Sequence, residues 1–110
     1  MRVLLIDDVR KPAYILDKYG IAVTDIAESY TSGIGMLTNN PPYDLLCLDH
    51  DLSSYLEIDG KVVEKTGYDV MCFLEQNPEY MPKDILFVSA NPVGVENMKR
   101  VYDSIKSRKE

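Results

Sequence analysis

Tyr43-Asp44-Leu45-Leu46-Cys47-Leu48-Asp49-His50-Asp51-Leu52 is the stretch whose reading decides the fold. A short apolar run ends abruptly in Asp-His-Asp, and the only histidine of the chain is among them. Bounded by Pro41-Pro42 before it and Ser53-Ser54 after it, the short continuous run reads as a strand buried on both faces. Open α/β sheets bind their ligands outside the carboxyl ends of such strands, which is where Asp49, His50 and Asp51 fall. One carboxylate there would merely begin a solvated loop. Three ionisable residues, with an acidic pair ending a second apolar run, point to a site.

That second run is Val3-Leu4-Leu5-Ile6, ended by Asp7-Asp8. Pro12 opens a short helix through Leu16, and Gly20 is placed to stop it. β-branched residues with partial alternation predict an edge strand over 21–27. Ser29 caps a helix with Tyr30, Ile34 and Leu37 on its inner face, and Asn39-Asn40-Pro41-Pro42 ends it. The central strand then spans 44–49. Thr66 and Asp69 resemble a capping box for a third helix, with Val70, Phe73 and Leu74 inward and Asn77-Pro78 as its end. Residues 84–88 read as a fourth strand. Pro92 suits the first turn of a last helix with Met98, Val101, Tyr102 and Ile105 as its apolar stripe, and only the tail, 106–110, looks frayed. Residues 53–65 form the longest unassigned loop, with a turn signal at Asp59-Gly60. A lid or specificity element and a disordered β-hairpin insertion fit it equally.

Strands and helices thus alternate four times, and 110 residues suit one domain over 1–110. Right-handed crossovers make this an α/β three-layer sandwich, a parallel sheet of about four strands with helices on both faces. The flavodoxin-like order 2-1-3-4 sets strands one and three side by side at the switch point. Asp7, Asp8 and Asp49 then share one rim, with Ser89 and Asn91 on the exit of the next strand.

Composition narrows the function. The chain is 45% hydrophobic and 27% charged with a net charge of −6, so a general nucleic-acid binder, which needs a basic face, is disfavoured. A small anionic ligand stays open, because a metal ion or local amides can reverse the field in a pocket. Cys47 and Cys72 lie in apolar contexts and read as reduced core residues, not as a disulfide or a zinc site. No stretch reaches membrane-spanning length and the N-terminus has no signal-peptide design, so no membrane association and a cytoplasmic location are expected.

Three carboxylates on one rim raise one another's pKa or bind metal. Magnesium, or a similar divalent cation, takes one or two carboxylates and completes its shell with water and phosphate. Asp8 and Asp49 are the first choice of ligands, with Asp7 a direct or outer partner. Histidine titrates nearest neutrality, so His50 is the natural acid or base, and Asp51 can orient its ring or add a ligand. In a regular strand, however, His50 points away from Asp49 and Asp51. Asn91 before Pro92 is an N-cap position, and with Ser89 and the helix amides it also offers an anion site. Thr66-Gly67 gives a second helix start near that rim. Gly94 either allows a close backbone approach or eases a turn. Arg10 can pair a phosphate, or Asp8 on the surface. No Walker loop, dinucleotide fingerprint or paired zinc motif is present.

Asp7-Asp8, the 43–49 strand and Ser89-Ala90 together resemble the response-regulator receiver domain. By that likeness Asp7 and Asp8 match the acidic metal pair, Asp49 the phosphorylated aspartate and Ser89 the hydroxyl residue. A receiver's fifth strand and helix, and its switch lysine, have no place in this shorter chain. A closer resemblance is to the cyclic-phosphate processing receiver domains. It rests on Asp7-Asp8-Val9-Arg10, Leu48-Asp49-His50-Asp51-Leu52, Thr66-Gly67-Tyr68-Asp69-Val70 and Ser89-Ala90-Asn91-Pro92-Val93-Gly94, with Asn97-Met98. That likeness implies a metal-dependent phosphoesterase acting on a cyclic or terminal phosphate of a nucleotide or RNA end. Val88 stands where the family pattern commonly has a histidine. Two other readings stay open: a signalling domain phosphorylated on Asp49, and a non-catalytic binding or inhibitor protein. Whether the chain has a protein partner or self-associates is not legible in the sequence.

Overall fold

The computed structural model describes residues 1–40 and 42–108. The part read for Pro41 in ending the second helix, and the fraying read for 109–110, lie outside the described residues.

Val3–Ile6 (β1) is buried at every position and pairs on one side with Asp25–Ala27 (β2), on the other with Leu45–Leu48 (β3). β3 in turn pairs with Asp84–Phe87. All three pairings are parallel, and the order runs second, first, third, then the Asp84–Phe87 strand, which is the order the sequence implies. Pro12–Tyr19 (α1) packs Ile15 on one face of the sheet, with Val3, Leu5, Cys47 and Val88. Tyr30–Asn39 (α2), Gly67–Gln76 (α3) and Pro92–Arg108 (α4) cover the other face through Leu37, Val70, Leu74, Met98 and Ile105 over Leu4, Ile6, Leu46 and Leu48. Strand alternation divides the two cores: odd residues of β1 and β3 turn toward α1, even ones toward the three other helices. Each fully buried Leu or Ile contributes about 1.5–3 kcal/mol, so this double-sided burial dominates the stability of the sheet.

The helix ends follow their local chemistry. α1 runs to Tyr19, past Leu16, because Gly20 takes a left-handed conformation (φ 69°) and gives its N–H to the Leu16 carbonyl. Ser29 caps α2 in a reciprocal box with Ser32, and Thr66 does so for α3 with Asp69. α4 continues through Arg108, so 106–108 are helical, contrary to the frayed tail expected. The Arg108 guanidinium lies 3.2 Å from Glu75, and the Lys106 ammonium sits 4.5 Å above the Tyr102 ring, which explains the extra turn. The Tyr43 hydroxyl donates to Asp25 Oδ2 at 2.7 Å and ties the edge strand to the base of β3. Burial, with Asp25 beside it, pushes the Tyr43 phenol up to about 12.

The main departure from the sequence reading is 53–65. Of the two forms the sequence left open there, a hairpin is what forms, as regular antiparallel strands and not as disorder: Ser54–Ile58 (β4) and Lys61–Lys65 (β5), so that Asp84–Phe87 is β6. Asp59 and Gly60 both have positive φ (53° and 77°), the backbone of a tight two-residue hairpin turn. The hairpin is rooted by Ser54, whose buried hydroxyl accepts from the Tyr30 amide and donates to the Leu52 carbonyl. No described helix is long and apolar enough to cross a membrane. Cys47, buried, and Cys72, half-buried, are free thiols.

Candidate functional site

The register of β1 on β3 assembles the site. Ile6 faces Leu48 across the ladder, so Asp7 and Asp49 leave the sheet together, and the Asp49 amide still donates to the Ile6 carbonyl at 3.0 Å. One oxygen each of Asp7, Asp8 and Asp49 falls within 4.8 Å of the others. Acids separated by about forty residues in the chain thus form one cluster at the carboxyl end of the sheet.

Asp7 is fully buried and its bonds are local. Its Oδ1 accepts from the Val9 and Arg10 amides at 2.9 Å, and Oδ2 accepts from Arg10 Nη1 at 3.2 Å. Arg10 Nη1 also lies 3.5 Å from Asp49 Oδ1, so the guanidinium bridges the two buried acids and not Asp8, the surface partner read from the sequence. Burial disfavours the Arg10 charge, but hydrogen bonds to Asp7 and Tyr14 outweigh it and hold its pKa above the ordinary value. Asp49 Oδ1 accepts from the His50 amide at 2.8 Å. Burial, then the charge of Asp7, pushes the Asp49 carboxyl upward, while the His50 amide, the Ser89 hydroxyl and Arg10 hold it back. One guanidinium against three carboxylates leaves the cluster short of positive charge. Hard oxygens at this spacing suit a divalent cation. A cavity of about 380 Å³ opens beside them, lined by Asp8, Arg10, Tyr14, Asp49, Asp51 and Ser89.

His50 faces the other way. β3 stops at Leu48, but the alternation persists: Asp49 follows Cys47 toward the α1 side, and His50 follows Leu48 toward α3 and α4. The ring lies against Gly94, where an added Cβ would fall 2.5 Å from Cγ, so the close approach and not a turn is what this glycine serves. His50 Nδ1 meets Asp51 Oδ1 at 2.9 Å and lies 3.5 Å from the Asn91 amide nitrogen. His50 lines a second cavity of about 330 Å³ with Thr66, Tyr68, Asn97, Arg100 and Val101. Asp51 therefore stands in the wall between the two cavities, bonded to the ring of one and lining the other.

The residues read as phosphate ligands divide likewise. Arg10 and Ser89 line the acidic cavity, Thr66 the histidine cavity. Gly67 gives its N–H to the His50 carbonyl at 2.8 Å. The Ser89 hydroxyl accepts from the Asn91 amide, and Asn91 Oδ1 accepts from the Gly94 amide, so both already cap the start of α4. Val88 is a core residue on the α1 face, 4% exposed, and reaches neither cavity. Sequence reasoning missed Tyr14 and Arg100, and it quoted Tyr68 and Asn97 within the family-like segments without giving either a role. Asn97, Arg100 and Val101 are spaced three and four apart on one helix, a signal that the apolar stripe beside them obscured.

A doubly covered parallel sheet in this order, with acids at the ends of its first and third strands, defines a receiver-like α/β domain. Residues 2–104 match the family of cyclic-phosphate processing receiver domains, and the chain belongs to that family. No curated protein matches it. Among solved structures, a fusion of the yeast Spc42 trimeric coiled coil (amino acids 181–211) superposes with a TM-score of 0.62 at 22% identity. That match covers 91% of this chain and 61% of the other, so this chain spans less than two thirds of that one's length. The signal receiver domain of a protein described as a Luxo repressor, from Vibrio parahaemolyticus, superposes with a TM-score of 0.50 at 18% identity over 94% of this chain and 93% of that one. At such identities these likenesses bear on the fold alone.

Proposed function

We propose that the chain hydrolyses a cyclic or terminal phosphate of a nucleotide or RNA end with the help of a divalent cation such as magnesium. The observation that carries this reading is the cluster of Asp7, Asp8 and Asp49 opening on a cavity that Arg10 and Ser89 also line. Asp8 and Asp49 would hold the cation. Asp7, whose oxygens are occupied by the Val9 and Arg10 amides and the Arg10 guanidinium, shapes the loop and adds charge from behind. When bound, the cation polarises the phosphoryl oxygens and lowers the pKa of a bound water. Arg10 supplies a fixed positive charge for the non-bridging oxygens, and the Ser89 hydroxyl stands beside them. Asp51 is the proton-handling carboxylate that reaches this cavity, and its bond to His50 Nδ1 fixes its orientation.

The test is hydrolysis of a 2′,3′-cyclic nucleotide with magnesium or manganese by the wild type, Asp49→Asn and His50→Ala. The expected result is turnover that collapses in Asp49→Asn and falls in His50→Ala. Turnover untouched by either change would remove the proposal. A phosphoaccepting role is the second reading, favoured by the place of Asp49 at the end of β3 between Asp7 and Ser89. Acetyl phosphate with magnesium would then leave a phosphoryl adduct on Asp49, read by intact mass.

A further inference from the structure

The histidine cavity has features that core packing does not explain. Its walls come from three separate places: the loop after β3, the start of α3 and one face of α4. Its lining is mostly polar, and at about 330 Å³ it falls in the size range of small-molecule sites. In a chain of net charge −6, no carboxylate is among its lining residues, whereas Arg100 is. The only ion-pair partner of Arg100 among the described residues is Glu96 at 3.6 Å, with both side chains about three quarters exposed. Such a pair holds little energy and yields easily to a better anion. The Asn97 side-chain amide and His50 Nε2 have no hydrogen-bonding partner among the described residues, while Nδ1 is held by Asp51. Tyr68, 40% exposed, presents an aromatic ring in the same lining.

An aromatic surface, an open amide and a guanidinium held only by an exposed, weak ion pair match, in one concavity, the parts of a nucleoside monophosphate. A base stacks on tyrosine, an amide reads a base or sugar edge, and a guanidinium takes a phosphate. We infer that the cavity between the start of α3 and the first turns of α4 is a nucleotide-binding subsite, with Tyr68 under the base, Asn97 on its edge or sugar, and Arg100 on an anionic phosphate. The inference rests on the phosphoesterase reading for its biological sense: the acidic cavity takes the reacting phosphate, and this one seats the nucleotide on the far side of the His50–Asp51 wall. The binding site itself contains no ligand of the metal cluster.

The test is calorimetric binding of adenosine 5′-monophosphate in the presence of a chelator, so that the acidic cluster carries no cation. Wild type, Tyr68→Leu, Arg100→Gln and Asp8→Asn are compared, with adenosine and inorganic phosphate as partial probes. Tyr68 and Arg100 are exposed, so neither variant threatens the fold. The expected result is binding of the nucleotide that weakens about fivefold or more in Tyr68→Leu and in Arg100→Gln. Asp8→Asn should bind like wild type, and each partial probe should bind more weakly than the nucleotide. No nucleotide binding, or loss in Asp8→Asn but not in Tyr68→Leu and Arg100→Gln, would overturn the subsite. Inorganic phosphate binding as well as the nucleotide would overturn the nucleoside part of it. Cyclic-nucleotide hydrolysis with KM unmoved in both cavity variants would sink the subsite and leave the phosphoesterase intact. Nucleotide binding mapped to the cavity in a protein with no hydrolytic activity would sink the phosphoesterase alone.

Discussion

Gly67→Ala probes the joint on which the site is built. Gly67 opens α3, and a Cβ there would be driven into the backbone carbonyl oxygen of Asp49 and to 2.8 Å from Met98 Sδ. The carbonyl belongs to the chain leaving β3 and cannot swing aside, so the start of α3 must lift. Forcing a methyl into a packed site costs about 1–3 kcal/mol, and the upper end applies where backbone is the obstacle. Lifting α3 also breaks the 2.8 Å bond from the Gly67 amide to the His50 carbonyl, about 1 kcal/mol more. The better helix propensity of alanine returns up to about 1 kcal/mol. The net expectation is a loss of about 3 kcal/mol, or roughly 10–15 °C in Tm for a domain of this size. Urea unfolding followed by far-UV circular dichroism measures it, and magnesium affinity should fall with it because the Asp49 backbone moves. A loss under about 1 kcal/mol would refute the close contact between α3 and the acidic strand end.

Gly94→Ala meets a movable obstacle, the imidazole, at 2.5 to 2.9 Å, so stability should change by only about 1 kcal/mol. The resonances of the single histidine should shift clearly by NMR as the ring leaves Asp51; unmoved resonances would contradict the packing. Tyr43→Phe removes a buried hydroxyl donating to a carboxylate and should cost about 1.5–3 kcal/mol at neutral pH. The folded-state phenol is raised from about 10 to about 12, so its stabilisation is complete below about pH 10 and is lost as the pH climbs toward 12. Tyrosinate absorbance should accordingly show one of the eight tyrosines ionising last, near 12, and that step should be missing in Tyr43→Phe. Arg10→Gln removes the cation that sits 3.2 and 3.5 Å from Asp7 and Asp49, so magnesium or manganese should bind about tenfold more tightly. Weaker binding in that variant would show Arg10 to be a support of the site and not a competitor for it.

Much of the fold is legible in the sequence because burial on both faces writes itself as uninterrupted apolar runs. Val3–Ile6 and Leu45–Leu48 have no other plausible home, and the helix caps at Ser29 and Thr66 are local chemistry that needs no tertiary context. The convergence of Asp7, Asp8 and Asp49 follows from strand order alone. The hairpin was harder, because Tyr55, Val62 and Val63 stay exposed and leave no inward-outward alternation to read. Its one clear sign was Asp59-Gly60, the pair that a tight hairpin turn demands. That His50 turns away from Asp49 was also foreseeable from parity; its bond to Asp51 was not, because β3 has ended at Leu48 and regular alternation no longer fixes Asp51. What parity could not supply is the second cavity, since its walls join residues 50, 66–68 and 97–101 only after α3 and α4 pack together.

The most direct measurement is a calorimetric titration of magnesium, with manganese paramagnetic resonance as a second readout, into wild type, Asp8→Asn and Asp49→Asn. Occupancy of one ion per chain, with affinity reduced at least about tenfold in each variant, is the result the carboxylate cluster requires. Equal binding by all three proteins, or no binding by the wild type, would contradict it.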